Sequence, residues 1–168
     1  MTLSAEYMAG FFDGEGSVYA ATRRAHANKT PTVTVCITNT NLAVLQAHKS
    51  AWGGSLSPRK LRPRNQRQYQ WVLCAKQAYY FLSAIVPHLI IKKEVVTVAL
   101  ALCELQRRPP RERMTYETVR RRGRNWVSPR VKPEHANAVW AMHSQIRNLN
   151  SKACPMNALR SYQQEKVA

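Results

Sequence analysis

The stretch LSAEYMAGFFDGEGSVYA, residues 3–20, joins a helical pattern to a strand pattern through a run of glycines. Ser4 is a suitable N-cap residue, and small and apolar residues follow it without an interior proline, so we predict a helix over 4–13. Gly14 and Gly16 are a stop signal for that helix, and from residue 17 onward the side chains alternate in character. The stretch therefore predicts a helix that passes directly into a strand, with Glu15 at the junction.

Similar patterns continue along the chain. Residues 32–39 place Val33, Val35 and Ile37 on one face and threonines on the other, as in a half-buried strand. Asn41 is a candidate N-cap for the helix that ends at Gly53. The other predicted elements are strands over 17–25, 55–62 and 67–74 and helices over 75–86 and about 92–106. The order predicts an α+β fold, αββαββα, in which the strands form antiparallel hairpins.

The composition narrows the class of partner. The 168 residues include 26 Lys and Arg against 9 Asp and Glu, a net charge of +17, with 45% hydrophobic residues. This favours one compact unit that binds a polyanion, most commonly a nucleic acid. No apolar run approaches a membrane span and no signal peptide is recognisable, so we expect an intracellular protein without a membrane partner. The spacing of the four cysteines indicates neither a zinc finger nor a disulfide framework.

Three regions differ in composition. Residues 1–106 contain the core and the hairpins, 107–133 form an exposed connection with ten Arg and Lys residues, and 134–168 form a C-terminal helical segment of the same domain. The basic connection is either a phosphate-contacting arm or a solvated surface.

Asp13 and Glu15 are a notable acidic pair in so basic a chain. Asp13 is the only aspartate, and both acids lie at a helix C-terminus, where negative charge is disfavoured. We interpret the pair as a site that holds a hard divalent cation such as Mg²⁺, which prefers oxygen ligands. The alternative is a glycine–aspartate turn that only closes the helix.

Polar and basic side chains follow the predicted outer face of both hairpins. Arginine recognises guanine and glutamine recognises adenine through paired hydrogen bonds, and a two-stranded ribbon fits the major groove. The residues predicted to contact DNA are Tyr19, Arg23, Arg24, Thr32, Thr34, Thr38, Ser57, Arg59, Arg62, Arg64, Gln66, Arg67, Gln68 and Gln70.

Met8–Gly16 resembles, position for position, the signature of the LAGLIDADG homing endonucleases. The strand end Ile37-Thr38-Asn39, the helix that ends at Trp52-Gly53-Gly54, the segment 87–92 and the segment 140–152 also resemble that family. The resemblance implies an αββαββα fold with an antiparallel, saddle-shaped sheet over DNA, followed by C-terminal helices. It also implies Mg²⁺-dependent cleavage of both strands of a long double-stranded target, with Mn²⁺ or Ca²⁺ able to occupy the same site.

The family pattern also implies roles for individual residues. Glu15 matches the metal-binding acid, Gly14 would offer its carbonyl, and Asn39 and Lys92 match catalytic positions near the water and the phosphate. Because one motif is present, the resemblance implies a homodimer and a pseudo-palindromic target. The remaining carried-over residues are Ser151 and Lys152 at the DNA and Ala9, Gly10 and Asp13 at the dimer interface.

Two other functions stay open at this point. A protein of the same fold can be an RNA-splicing maturase or a DNA-binding protein that does not cleave. An unrelated basic RNA-binding protein would show neither metal dependence nor a dimer.

Overall fold

The structure is a computed structural model that describes residues 3–21, 31–59, 67–107 and 132–152. In these ranges the elements are α1 (Ala5–Glu15), β1 (Gly16–Ala21), β2 (Thr32–Asn39), α2 (Leu42–Trp52), β3 (Ser55–Pro58), β4 (Tyr69–Cys74), α3 (Ala75–Ile85), a 3₁₀ turn (Val86–His88), α4 (Lys93–Arg107) and α5 (Pro133–Lys152). The predicted α+β order is confirmed. No helix in the described part of the chain is long and apolar enough to span a membrane.

Several element ends differ from the prediction. The first helix continues to Glu15 and the strand begins at once at Gly16, because the backbone of Gly16 leaves the helix in an extended conformation. The third strand, predicted over 55–62, is assigned only over Ser55–Pro58, and residues 60–66 lie outside the described ranges. Most of the arginine-rich connection, 108–131, also lies outside them.

The four strands form one antiparallel sheet in the order β1-β2-β4-β3. Val18 pairs with Val35, which pairs with Leu73, and these three side chains are buried. Their neighbours along each strand point to the opposite face, because successive side chains of a strand alternate. The sheet therefore has one face that packs on the helices and one outer face, as the alternation predicted.

Aromatic side chains fill the space between the sheet and the helices. The ring of Phe81 on α3 contacts Phe12 of α1 at 5.8 Å and Trp71 of β4 at 5.3 Å, both edge to face. The helix α5 packs on α4 and on the edge strand β1, where the Asn150 side-chain amide donates to the Val18 carbonyl at 2.8 Å. The core thus fixes α1 against both the sheet and α3.

His48 is a buried polar residue in this core. Its Nδ1 donates to the Val44 carbonyl at 2.9 Å, while its Nε2 has no partner among the described residues. The ring packs against Phe11 at 5.4 Å and Trp71 at 5.3 Å. Burial lowers the pKa of His48, and the hydrogen bond to Val44 opposes this only partly.

We expect the free energy of unfolding to decrease as the pH is lowered, because His48 then becomes protonated. A base whose pKa is lowered on folding stabilises the protein above its unfolded pKa, and that stability is lost as the pH falls, because the unfolded state then binds more protons. Denaturant titrations from about pH 7 to about pH 5 should show a smaller decrease for His48→Leu than for wild type. Equal decreases in the two proteins would contradict the assignment.

Candidate active site and nucleic-acid interface

Glu15 is the last residue of α1, and its side chain is exposed. Among the described residues it forms no hydrogen bond or ion pair. Gly14 before it is also exposed, and an added Cβ at that position would meet no atom within 4 Å. The junction between α1 and β1 therefore presents a free carboxylate and an accessible stretch of backbone.

Asp13, the other member of the acidic pair, is engaged inside the chain. Its Oδ2 accepts hydrogen bonds from the backbone N–H groups of Ile90 at 2.8 Å and Ile91 at 3.1 Å, and its Oδ1 accepts from the N–H of Lys92 at 2.9 Å. Burial opposes its ionisation, but these three donors and the Lys92 ammonium together lower the pKa of Asp13. Its carboxylate is thus occupied by the 90–92 backbone, whereas that of Glu15 is not.

The Lys92 ammonium group lies over the C-terminal end of α1. It donates to the Phe12 carbonyl at 3.1 Å and also to the Asp13 carbonyl. A cation is favourable there because the last carbonyls of a helix lack intrahelical partners. Burial lowers the pKa of Lys92, while the charges of Asp13 and Glu15 act in the opposite direction. Lys92 is therefore close enough to Glu15 for their charges to interact.

Asn39 ends β2 at the same end of the sheet as Glu15. Gly16 pairs with Ile37, so the residue before Gly16 and the residues after Ile37 lie at the same end of the sheet. The Asn39 Oδ1 accepts from the backbone N–H of Asn41 at 2.8 Å, which orients its side-chain amide. The three predicted catalytic residues thus lie at or beside the α1–β1 junction. Glu15 is at the C-terminus of α1, Asn39 is at the end of β2, and Lys92 directly precedes α4.

Within the described ranges, no group of three or more His, Cys, Asp or Glu side chains is assembled for a metal ion. One chain offers the Glu15 carboxylate and the carbonyl of Gly14. Mg²⁺ usually takes one or two carboxylates and completes its shell with water and substrate phosphates. The donors present fit such an open, incomplete site and do not fit a closed site built by one chain.

The outer face of the sheet carries most of the predicted DNA-contacting residues that the structure describes. Cross-strand pairing aligns Tyr19 with Thr34 and Gln70 with both Thr38 and Ser57. Thr32 lies on the same face. Thr34 differs from the others because only 6% of it is exposed and its hydroxyl donates to the Thr32 carbonyl.

The remaining predicted contacts fall at the edges of the sheet or outside the description. The N–H of Arg59 donates to the Gln68 carbonyl at 2.9 Å, which extends the β3–β4 pairing, and the side chains of Arg59, Arg67 and Gln68 are exposed. Ser151 lies near the end of α5 and its hydroxyl donates to the Asn148 carbonyl. The residues not described, wholly or in their side chains, are Arg23, Arg24, Arg62, Arg64, Gln66 and Lys152.

The outer face also carries two cysteines. The alternation over 32–39 predicts Cys36 on this face beside the threonines. Cys74, which pairs with Thr34, was not predicted there, although the same period-two pattern could have placed it. The Gln70 side-chain amide donates to Cys36 Sγ at 2.7 Å, and Cys74 Sγ lies 3.8 Å from the Thr34 hydroxyl. The centre of this face thus carries uncharged side chains that form hydrogen bonds with one another.

The three residues of α1 predicted for the dimer interface differ in exposure. The side chains of Ala9 and Asp13 are buried in their own chain, with 0% and 9% exposed. Gly10 is exposed, and a Cβ there would meet nothing within 4 Å. Gly10 and Gly14 lie one turn apart on this side, next to the stacked rings of Tyr7 and Phe11. The open small-residue surface is therefore Gly10 with Gly14.

Comparison with solved structures identifies proteins with a similar arrangement of helices and strands. The archaeal intron-encoded homing endonuclease I-Vdi141I, complexed with DNA, superposes with a TM-score of 0.60 over 86% of this chain and 82% of its own, at 15% identity. The homing endonuclease I-CvuI, in complex with its target in the presence of calcium, gives 0.59 over 86% and 80%, also at 15% identity. The chain has the LAGLIDADG homing endonuclease fold.

A third similar structure is longer than this chain. The LAGLIDADG homing endonuclease I-SmaMI, bound to cleaved DNA, gives a TM-score of 0.50 at 22% identity, covering 62% of this chain and 37% of its own. No protein-family model and no curated protein sequence matches the chain. The stretch that resembles the signature, Met8–Gly16, comprises most of α1 and the first residue of β1.

Asp13→Asn should destabilise the protein, because one carboxamide oxygen cannot accept all three N–H groups and its NH₂ would face donors. A loss of about 1–3 kcal/mol in the free energy of unfolding is expected from denaturant titration. The matched control is Glu15→Gln, two residues further on, which should leave stability unchanged because Glu15 is exposed and unpartnered. Equal stability of Asp13→Asn and wild type would contradict the role given to Asp13.

Proposed function

We propose that this protein is a homing endonuclease that binds double-stranded DNA on the outer face of its sheet and hydrolyses one phosphodiester in each strand. The observation that carries the proposal is the position of Glu15. Its free carboxylate lies immediately before β1, whose outer face begins two residues later at Ser17. An acid at the end of this outer face would lie near a phosphate of DNA bound on the face.

The DNA-binding part of the proposal is supported by charge and by side-chain chemistry. The chain carries +17, so phosphate neutralisation supplies affinity, while hydroxyl and amide groups on the sheet can contact base edges. The similar structures I-Vdi141I and I-SmaMI are complexes with DNA. This favours DNA over RNA as the partner, and so favours the endonuclease over the maturase.

Glu15 and the Gly14 carbonyl would hold a divalent cation, Mg²⁺ or its substitutes Mn²⁺ and Ca²⁺. When bound, such a cation would stabilise the charge that develops at the phosphodiester. The Lys92 ammonium compensates the partial negative charge of the C-terminal carbonyls of α1 next to Glu15. It would also add positive charge near a bound phosphate. The Asn39 amide, already oriented by its bond to Asn41, would position a water molecule.

A homodimer completes the proposal. One chain has one such acid, and two copies related by a two-fold axis would place one acid at each strand. The open Gly10–Gly14 surface of α1 permits a second α1 to approach closely, because neither glycine has a side chain or a neighbour in the way. A two-fold axis along this contact would bring the two Glu15 residues together and impose a pseudo-palindromic target.

Glu15→Gln should abolish cleavage and leave DNA affinity within a few-fold of wild type. The substitution removes the charge that holds the cation, while affinity comes mainly from phosphate contacts elsewhere. Cleavage would be followed on supercoiled plasmid carrying the target in Mg²⁺, and affinity by gel shift.

The matched control is Glu134→Gln, which changes an exposed acid in the first turn of α5 and should keep wild-type cleavage. A Glu15→Gln protein that cuts at the wild-type rate would remove Glu15 from the active site.

Gly10→Leu should convert the dimer into monomers without unfolding the chain. Within the chain, the position of the new side chain is open, but between two α1 helices it would prevent close approach. Sedimentation equilibrium at micromolar concentration measures the change, and melting temperature confirms the fold. Ala101→Leu, an exposed site on α4, is the control and should remain dimeric. A monomeric wild type, with DNA present, would contradict the homodimer.

A further inference from the structure

Cys36 lies on the outer face of the sheet and is nevertheless buried. Only 7% of it is exposed, whereas Ser17, its partner on β1, and Cys74 on β4 are exposed. A side chain that is covered in this way has little surface with which to reach a base edge. Cys36 can therefore act on DNA bound to the outer face chiefly through the side chains that contact it.

Gln70 of β4 is the side chain that binds the Cys36 thiol. Its backbone pairs with Thr38, and its side chain extends diagonally to the residue two positions earlier on β2, where Nε2 donates to Cys36 Sγ at 2.7 Å. The same sulfur lies 3.8 Å from the Thr38 hydroxyl. Gln70 itself is only half-buried, so part of it stays accessible from the outer face.

The bond to Cys36 leaves the Gln70 amide with a defined set of free groups. A glutamine side chain has two N–H donors and one carbonyl oxygen, and one N–H is used by the thiol. Within the described ranges the Gln70 side chain makes no other hydrogen bond. One N–H and Oε1 remain, which are the donor and the acceptor that recognise N7 and the N6 amino group of adenine in the major groove.

We propose that Cys36 is a positioning residue whose thiol holds the Gln70 amide in the orientation that selects adenine. The inference rests on the proposed binding of DNA to the outer face. A free glutamine side chain loses much of its rotamer freedom when it binds a base, whereas an amide already held by the protein loses less. Part of the base preference at this position therefore depends on a residue that does not touch the base.

Gln68 offers a comparison within the same chain. It lies two residues before Gln70, its side chain is exposed, and within the described ranges that side chain makes no hydrogen bond. Its amide is not held before DNA binds. Any base preference that Gln68 contributes should be independent of Cys36.

The test is the base preference of DNA that the protein retains from a randomised double-stranded library, with Mg²⁺ chelated so that no cleavage is needed. Gln70→Ala identifies the position that Gln70 contacts, as the one at which preference for adenine is lost. Cys36→Ala should lower the adenine preference at that position about three- to tenfold, the effect of one neutral hydrogen bond. Cys36→Ser should restore it, because the serine hydroxyl can accept a hydrogen bond in nearly the same place.

Two controls separate positioning from a general disturbance of the sheet. Cys74→Ala removes the other thiol of the outer face, which lies 3.8 Å from the Thr34 hydroxyl, and should leave the preference at the Gln70 position unchanged. For Cys36→Ala, the melting temperature and the salt dependence of affinity should both equal those of wild type, because fold and phosphate contacts are retained.

The outcomes separate this inference from the proposed nuclease. An adenine preference that depends on Cys36, in a protein that cuts no DNA, would uphold the inference and contradict the nuclease. A protein that cuts DNA, with a preference at the Gln70 position that Cys36→Ala does not change, would overturn the inference and leave the nuclease standing. Loss of preference at every position, or a loss that Cys36→Ser does not restore, would make Cys36 a structural residue of the sheet, which also overturns it.

Discussion

The Asp13 carboxylate joins the end of α1 to the segment that leads into α4. Three backbone N–H groups converge on it, and the Lys92 ammonium binds the carbonyls of the same helix end. A buried carboxylate is costly unless hydrogen bonds and opposite charge compensate it, and here both do. Because the helix end is held in this way, Glu15 can remain unpartnered at the surface while its backbone stays in a defined place.

The helix α1 consequently serves three surfaces at once. Met8 and Phe12 face the core, Gly10 and Gly14 leave one side open, and Glu15 stands at the junction with β1. A single short stretch thus combines core residues, the open glycine surface at which we propose subunit association, and the candidate acid. One signature sequence can therefore indicate both a fold and a proposed chemistry.

The periodic features could be predicted from the sequence and the nonlocal contacts could not. Alternation predicted the bounds Thr32–Asn39 and the outer face, because burial on one face imposes a period of two. The pattern could not show that Asp13 binds residues nearly eighty positions away, or that Ala9 faces the core while Gly10 does not. Adjacent residues of a helix point in different directions, and only the packing of the helix decides which of the two faces the core. Hydrophobicity alone would place Ile90 and Ile91 in the core, and only the packing of the chain shows that they are exposed.

We propose that this protein cuts both strands of DNA at a specific two-fold site. The most direct measurement is to incubate the purified chain and Mg²⁺ with a library of randomised double-stranded DNA and to sequence the cut ends. We expect one pseudo-palindromic consensus, with one cut per strand related by its two-fold axis, and no cut ends when Mg²⁺ is chelated. Cut ends without a consensus, or the absence of cleavage alongside selective retention of RNA, would contradict it.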